Sequence, residues 1–94
     1  MSIRLIITIT AAPGRGSELA QLYKGRCAQV QAEPGCEQYE IFQGVANPDR
    51  LTLLERWADD AALETHARVV RPALPPGLRV GTVEREDYQY NRTR

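Results

Sequence analysis

Residues 3–10, IRLIITIT, alternate so regularly that they fit only a strand buried on one side: Ile3, Leu5, Ile7 and Ile9 form a wholly aliphatic face. Arg4, Ile6, Thr8 and Thr10 make the opposite, mixed face. A sheet that packs helices against one side is therefore required from the first ten residues. Pro13-Gly14-Arg15-Gly16 turns the chain, and Ser17 is the expected cap of a helix over residues 17–32. Leu19, Leu22, Tyr23, Cys27 and Val30 recur at helical spacing and are predicted to be its buried stripe, with Gln21, Lys24, Gln29 and Gln31 toward water. Gly25 weakens this helix by about 1 kcal/mol relative to alanine.

Glu33-Pro34-Gly35 ends the helix, because a residue before proline avoids helical geometry and glycine accepts a left-handed turn. A second strand is predicted over Cys36–Gln43 and a third over Arg50–Trp57, paired antiparallel around the Asn47-Pro48-Asp49 turn. Asp59 or Asp60 caps a second helix, whose inward face is expected to carry Leu63, His66, Ala67 and Val70. Residues 71–82 hold three prolines and Gly77 and read as an ordered loop over one end of the sheet. The last strand is Glu84–Tyr90, and residues 91–94 are an expected frayed tail. The order β-α-β-β-α-β implies an α+β, ferredoxin-like sandwich in one domain spanning residues 1–94. Its second sheet face has no helix to cover it, so a homodimer joined through the sheets is expected.

Twelve basic residues balance twelve acidic ones, which lacks the positive footprint of a nucleic-acid binder. No apolar run reaches membrane-spanning length and residues 3–9 carry no signal-peptide pattern, so the expectation is a cytoplasmic protein without membrane contact. Cys27 and Cys36 have no metal-ligand spacing and read as free thiols, and one histidine cannot complete a transition-metal site with them. The expectation is that neither metal nor other cofactor is needed, with haem as the exception that a single histidine would allow. No nucleophile motif or phosphate loop appears. Glu40 and Glu55 read as structural strand residues rather than a hydrolytic pair, and Arg56 as the partner of an acid such as Glu40.

The segments IRLIITITAAPGRGSELAQLY, EPGCEQYE, NPDRLTLLERW and DDAALETH, within residues 3–70, resemble the antibiotic biosynthesis monooxygenase family of dimeric α+β barrels. That resemblance implies a reaction range from cofactor-independent oxidation of quinol and anthrone-type aromatics to haem degradation and turnover of small signalling molecules. The tryptophan ending the third strand matches Trp57, and the histidine of the second helix matches His66. Haem-degrading relatives add an asparagine on the first strand, where this chain offers Thr8 and Thr10. That departure ranks haem degradation below oxidation of an electron-rich aromatic such as a hydroquinone or polyphenol.

His66 is the natural proton acceptor, being the side chain type that titrates near neutrality, although a lone histidine on an apolar helix face is often only a boundary residue. Trp57 is the expected platform for the ring, donating from its indole N–H, on the far side of one cleft from His66. Tyr23, Leu53 and Leu63 complete the expected substrate wall, and most of Tyr39, Tyr88 and Tyr90 should pack the core or a dimer contact. A non-catalytic barrel that binds a small hydrophobic metabolite is the main alternative. An isomerase of a small polar molecule stands third.

Overall fold

Strand β1, Ser2–Thr10, runs through the middle of a four-stranded sheet, and its alternation is what places it there. The computed structural model describes the backbone of residues 1–90 and the side chains of residues 1–88; the tail at 91–94 and the Tyr90 side chain lie outside the described residues. Helix α1, Gly16–Val30, is followed by β2, Cys36–Gln43, β3, Arg50–Trp57, α2, Asp60–Ala67, and β4, Glu84–Tyr90. The sheet order is β2-β3-β1-β4 with every pairing antiparallel. This is the ferredoxin-like α+β arrangement that the order of elements predicts.

Register decides which side chains share the covered face. Ile3 lies beside Trp57, Leu5 beside Glu55, Ile7 beside Leu53 and Ile9 beside Leu51, while Tyr39 and Ile41 of β2 continue the same rows. Leu19, Tyr23, Cys27 and Val30 of α1 close over them, and Leu63 of α2 packs at the margin. Each fully buried Leu or Ile in such a core contributes roughly 1.5–3 kcal/mol relative to exposure. Leu22, expected in the stripe, is instead 37% exposed, because α1 presents only a narrow face to the sheet. Val70 is 94% exposed, since α2 stops at Ala67 before the helical periodicity reaches it.

The start of α1 also departs from local expectation. Arg15 occupies the cap position without a side-chain cap bond, and the free N–H groups of Gly14 and Gly16 donate to the two carboxylate oxygens of Asp49, each at 3.0 Å. Ser17 Oγ instead accepts from Gln43 Nε2. A Cβ on Gly16 would lie 2.0 Å from the Pro48 carbonyl oxygen, so the helix can enter this close to the β2–β3 turn only through glycine. Asp59 caps α2 as expected, its Oδ1 accepting from Ala62 N at 2.9 Å.

Residues 71–83 form the expected non-helical loop and are fastened to the end of β1. Ala12 N donates to Leu78 O at 2.8 Å and Val80 N to Thr10 O at 2.9 Å, with Leu78 itself buried. The opposite sheet face carries Ile6 beside Leu54, Phe42 beside Thr52 and Arg4 beside Tyr88. Arg56, on that face, pairs with Glu37 at 3.3 Å rather than with Glu40. Glu40 accepts from Gln38 instead. Among the described residues, no helix is long and apolar enough to cross a membrane.

Candidate functional site

Pro34 and Gly35 turn α1 into β2 tightly enough to bring Glu33 beside the last turn of α2. Gly35 has φ +79°, its carbonyl accepts from Ala58 N at 2.8 Å, and a Cβ there would meet the Ala62 methyl at 2.5 Å. That close approach sets the distance between the two helices' ends. His66 Nδ1 consequently lies 3.0 Å from Glu33 Oε1, and Arg71 Nη2 donates to Glu33 Oε2 at 2.5 Å. All three side chains are largely buried, at 15–18% exposure. A neutral imidazole whose Nδ1 faces a carboxylate carries its proton there, which leaves Nε2 as a lone-pair acceptor.

Aromatic rings hold the imidazole on two further sides. The Trp57 indole lies 4.5 Å away, centroid to centroid, tilted by 31°, and the Tyr39 ring approaches edge-on at 5.6 Å. Trp57 is fully buried and donates its indole N–H to Glu55 Oε1 at 2.9 Å. It therefore backs His66 from the core rather than facing it across a cleft, and the expected ring platform is not at its position. The strand parity that buries Leu51 and Leu53 buries Trp57 with them.

A cavity of about 500 Å³ lies between the sheet and the two helices, lined by His66, Tyr23, Leu53 and Leu63 together with Leu5, Ile7, Tyr39, Glu55, Arg26, Arg79 and Arg85, among others. Its size and mainly apolar wall suit a small organic ligand. Of the five residues singled out from sequence, four meet at this cavity and Trp57 stands behind it. A smaller annex of about 350 Å³ shares Arg26, Tyr39, His66, Ala67 and Arg79 with it and continues to Arg71 and Leu74.

Glu55, an ordinary strand carboxylate by sequence, becomes a functional candidate in the structure. It is 3% exposed and the only buried charged residue among those described, with its edge on the cavity floor. Burial pushes its carboxyl above the usual range, opposed by the Trp57 indole N–H, by His66 when its ring is protonated and by the Arg85 charge. Its position two residues from Leu53 and two from Trp57 already assigned it to the inner face. Glu33 and Arg71 left no such local signal. Burial also raises the Tyr39 phenol and the thiols of Cys27 and Cys36, so all three hold their protons at neutral pH. Among the described residues, no three His, Cys, Asp or Glu side chains gather as a metal-binding group.

The sequence profile of the antibiotic biosynthesis monooxygenase family matches residues 2–69. A protein of Pseudomonas aeruginosa, PA3566, superposes with a TM-score of 0.76 at 31% identity, covering 93% of this chain and 91% of that one. A Deinococcus radiodurans protein provisionally named as an antibiotic biosynthesis monooxygenase superposes at 0.78, with 19% identity over 99% of this chain and 95% of the other. YcnE of Bacillus subtilis, provisionally called a monooxygenase, is 29% identical over 58 residues. That match spans 62% of this chain and 61% of YcnE.

Proposed function

This chain belongs to the antibiotic biosynthesis monooxygenase family, and from that premise we propose that it oxidises a small electron-rich aromatic of hydroquinone or polyphenol type with O₂, needing no cofactor. The observation that carries the reading is the Glu33-held imidazole on the wall of a largely apolar cavity. Nε2 of His66 takes the phenolic proton, and Glu33 with Arg71 behind it stabilises the imidazolium that forms. The deprotonated ring then supplies electrons to O₂ directly. One oxygen atom stays on the ring, the other leaves as water, and a hydroquinone becomes a hydroxyquinone by giving up four electrons. The protein's contribution is orientation, exclusion of water and removal of the proton. Tyr23, Leu53 and Leu63 hold the ring, and Tyr39 offers a protonated phenol to it.

The reading extends to a homodimer. Phe42 and Tyr88 are 48% and 51% exposed on the sheet face that carries Ile6 and Leu54, and a second copy would cover that apolar surface. Sedimentation equilibrium at micromolar concentration is expected to give twice the chain mass.

Oxygen uptake with a panel of hydroquinones in the presence of a metal chelator tests the activity. Uptake that His66→Ala lowers by roughly 10² to 10⁴, with the oligomeric state unchanged, is the expected result for loss of a general base. Tight binding of the same hydroquinones without oxygen consumption would return the protein to a non-catalytic binder.

A further inference from the structure

The annex beside the cavity has a charge that its apolar neighbour does not explain. Arg26, Arg71 and Arg79 line it, and no carboxylate does. Arg71 is neutralised by Glu33, which stands behind the wall and also holds His66. Arg26 spends one Nη2 proton on the Pro72 carbonyl at 2.7 Å, a neutral acceptor that leaves its charge uncompensated. The Arg79 guanidinium has no hydrogen-bond or ion-pair partner among the described residues. Arg26 and Arg79, neither of them paired with an acid among the described residues, thus each line both the cavity and the annex. Two acids line the main cavity, Glu55 and Glu64; neither pairs with Arg26 or Arg79, and burial biases Glu55 toward its neutral form.

A guanidinium fork matches a planar or tetrahedral oxyanion by paired N–H bonds, and such charge-assisted contacts are stronger than neutral ones. We infer that the ligand of this cavity is amphiphilic: an aromatic body against Tyr23, Leu53 and Leu63, and an oxyanion substituent, carboxylate or phosphate, held between Arg26 and Arg79. This rests on the cavity being the substrate site, as in the oxidation argued above, and it narrows that substrate to aromatics carrying an acidic group. Arg79 enters from the loop fastened to β1 by the Leu78 and Val80 backbone bonds, so the loop's docking positions the charge.

Calorimetric titration with three probes that cannot be oxidised tests the inference: 2-naphthoate, 2-naphthyl phosphate and the neutral 2-naphthamide, each at low and at physiological salt. At least one anion is expected to bind tenfold or more tighter than the amide, and the tighter of the two assigns the acidic group. Arg79→Ala, at an exposed side chain, is expected to reduce that preference several-fold without changing the affinity for the amide. Arg26→Gln should act in the same direction, and added salt should weaken only the anions. Equal affinities for all three probes, no anion binding at millimolar concentration, or a preference that Arg79→Ala leaves intact would overturn it. The oxidation fails separately: anion-selective binding with no oxygen uptake rejects the reaction and keeps the ligand class, whereas oxygen uptake without charge preference does the reverse.

Discussion

Replacing Glu33 by glutamine tests the imidazole relay at a single atom. The carboxylate presents two acceptors, one to His66 Nδ1 at 3.0 Å and one to Arg71 Nη2 at 2.5 Å. An amide presents one acceptor and one donor, and Arg71 has only protons to offer. The amide oxygen must therefore face Arg71, which turns the NH₂ toward Nδ1. His66 can answer only by accepting at Nδ1 and moving its proton to Nε2, so the lone pair that takes the substrate proton is lost. Glu33→Gln should then lower turnover by roughly 10² to 10⁴, close to the effect of His66→Ala. The cost in fold stability stays on the order of 1–2 kcal/mol, because both partners keep some contact with water. Since the chain has one histidine, ¹⁵N NMR of the neutral ring reads the tautomer directly, with the proton expected on Nδ1 in the wild type and on Nε2 in the variant. Adding Arg71→Leu frees the amide to turn its oxygen to Nδ1, and should restore the first tautomer and recover turnover at least about tenfold over the single variant. An unchanged tautomer in Glu33→Gln, or a double variant no better than the single one, would refute the reasoning.

Gly35→Ala should destabilise the fold by about 2–4 kcal/mol in urea titration, combining a left-handed residue with overpacking against Ala62. Adding Ala62→Gly should recover the overpacking part but not the backbone part. Asp49→Ala should cost about 1–2 kcal/mol by removing the cap of α1, and circular dichroism should show loss of its first turn. Glu55→Gln changes how stability depends on pH. Burial raises the folded-state pKa of this carboxyl above its unfolded value, so its contribution is fully present below the ordinary carboxylate range and is lost as pH rises through the raised value. The glutamine, which can still accept from Trp57, should match the wild type near about pH 4 and exceed it near about pH 8. A constant difference between the two across that range would place the raised pKa in doubt.

The architecture was legible because its signals are local. The two-residue alternation of β1, the Pro34-Gly35 stop and the Asn47-Pro48-Asp49 turn each act within a few residues, and β2 and β3 run over the residues predicted for them. The cap of α1 was not legible, since the carboxylate that satisfies Gly14 and Gly16 arrives from Asp49, more than thirty positions along the chain. Candidate chemistry divides along the same line. His66, Tyr23, Leu53 and Leu63 could be chosen by residue type and face, and the cavity gathers them. The chemistry of Trp57 suits a cleft, yet strand parity with Leu51 and Leu53 directs it into the core. Glu55 shares that parity, and only burial under two helices turns an ordinary strand carboxylate into a group that resists ionisation. Glu33, His66 and Arg71 are separated by 33 and 38 positions in their pairings, so no periodicity links them. Their meeting depends on how closely Gly35 lets the end of α1 approach α2. Sequence specifies elements through short-range sterics and hydrophobic period, whereas the hydrogen bond that selects a histidine tautomer exists only once packing has set a distance of 3.0 Å.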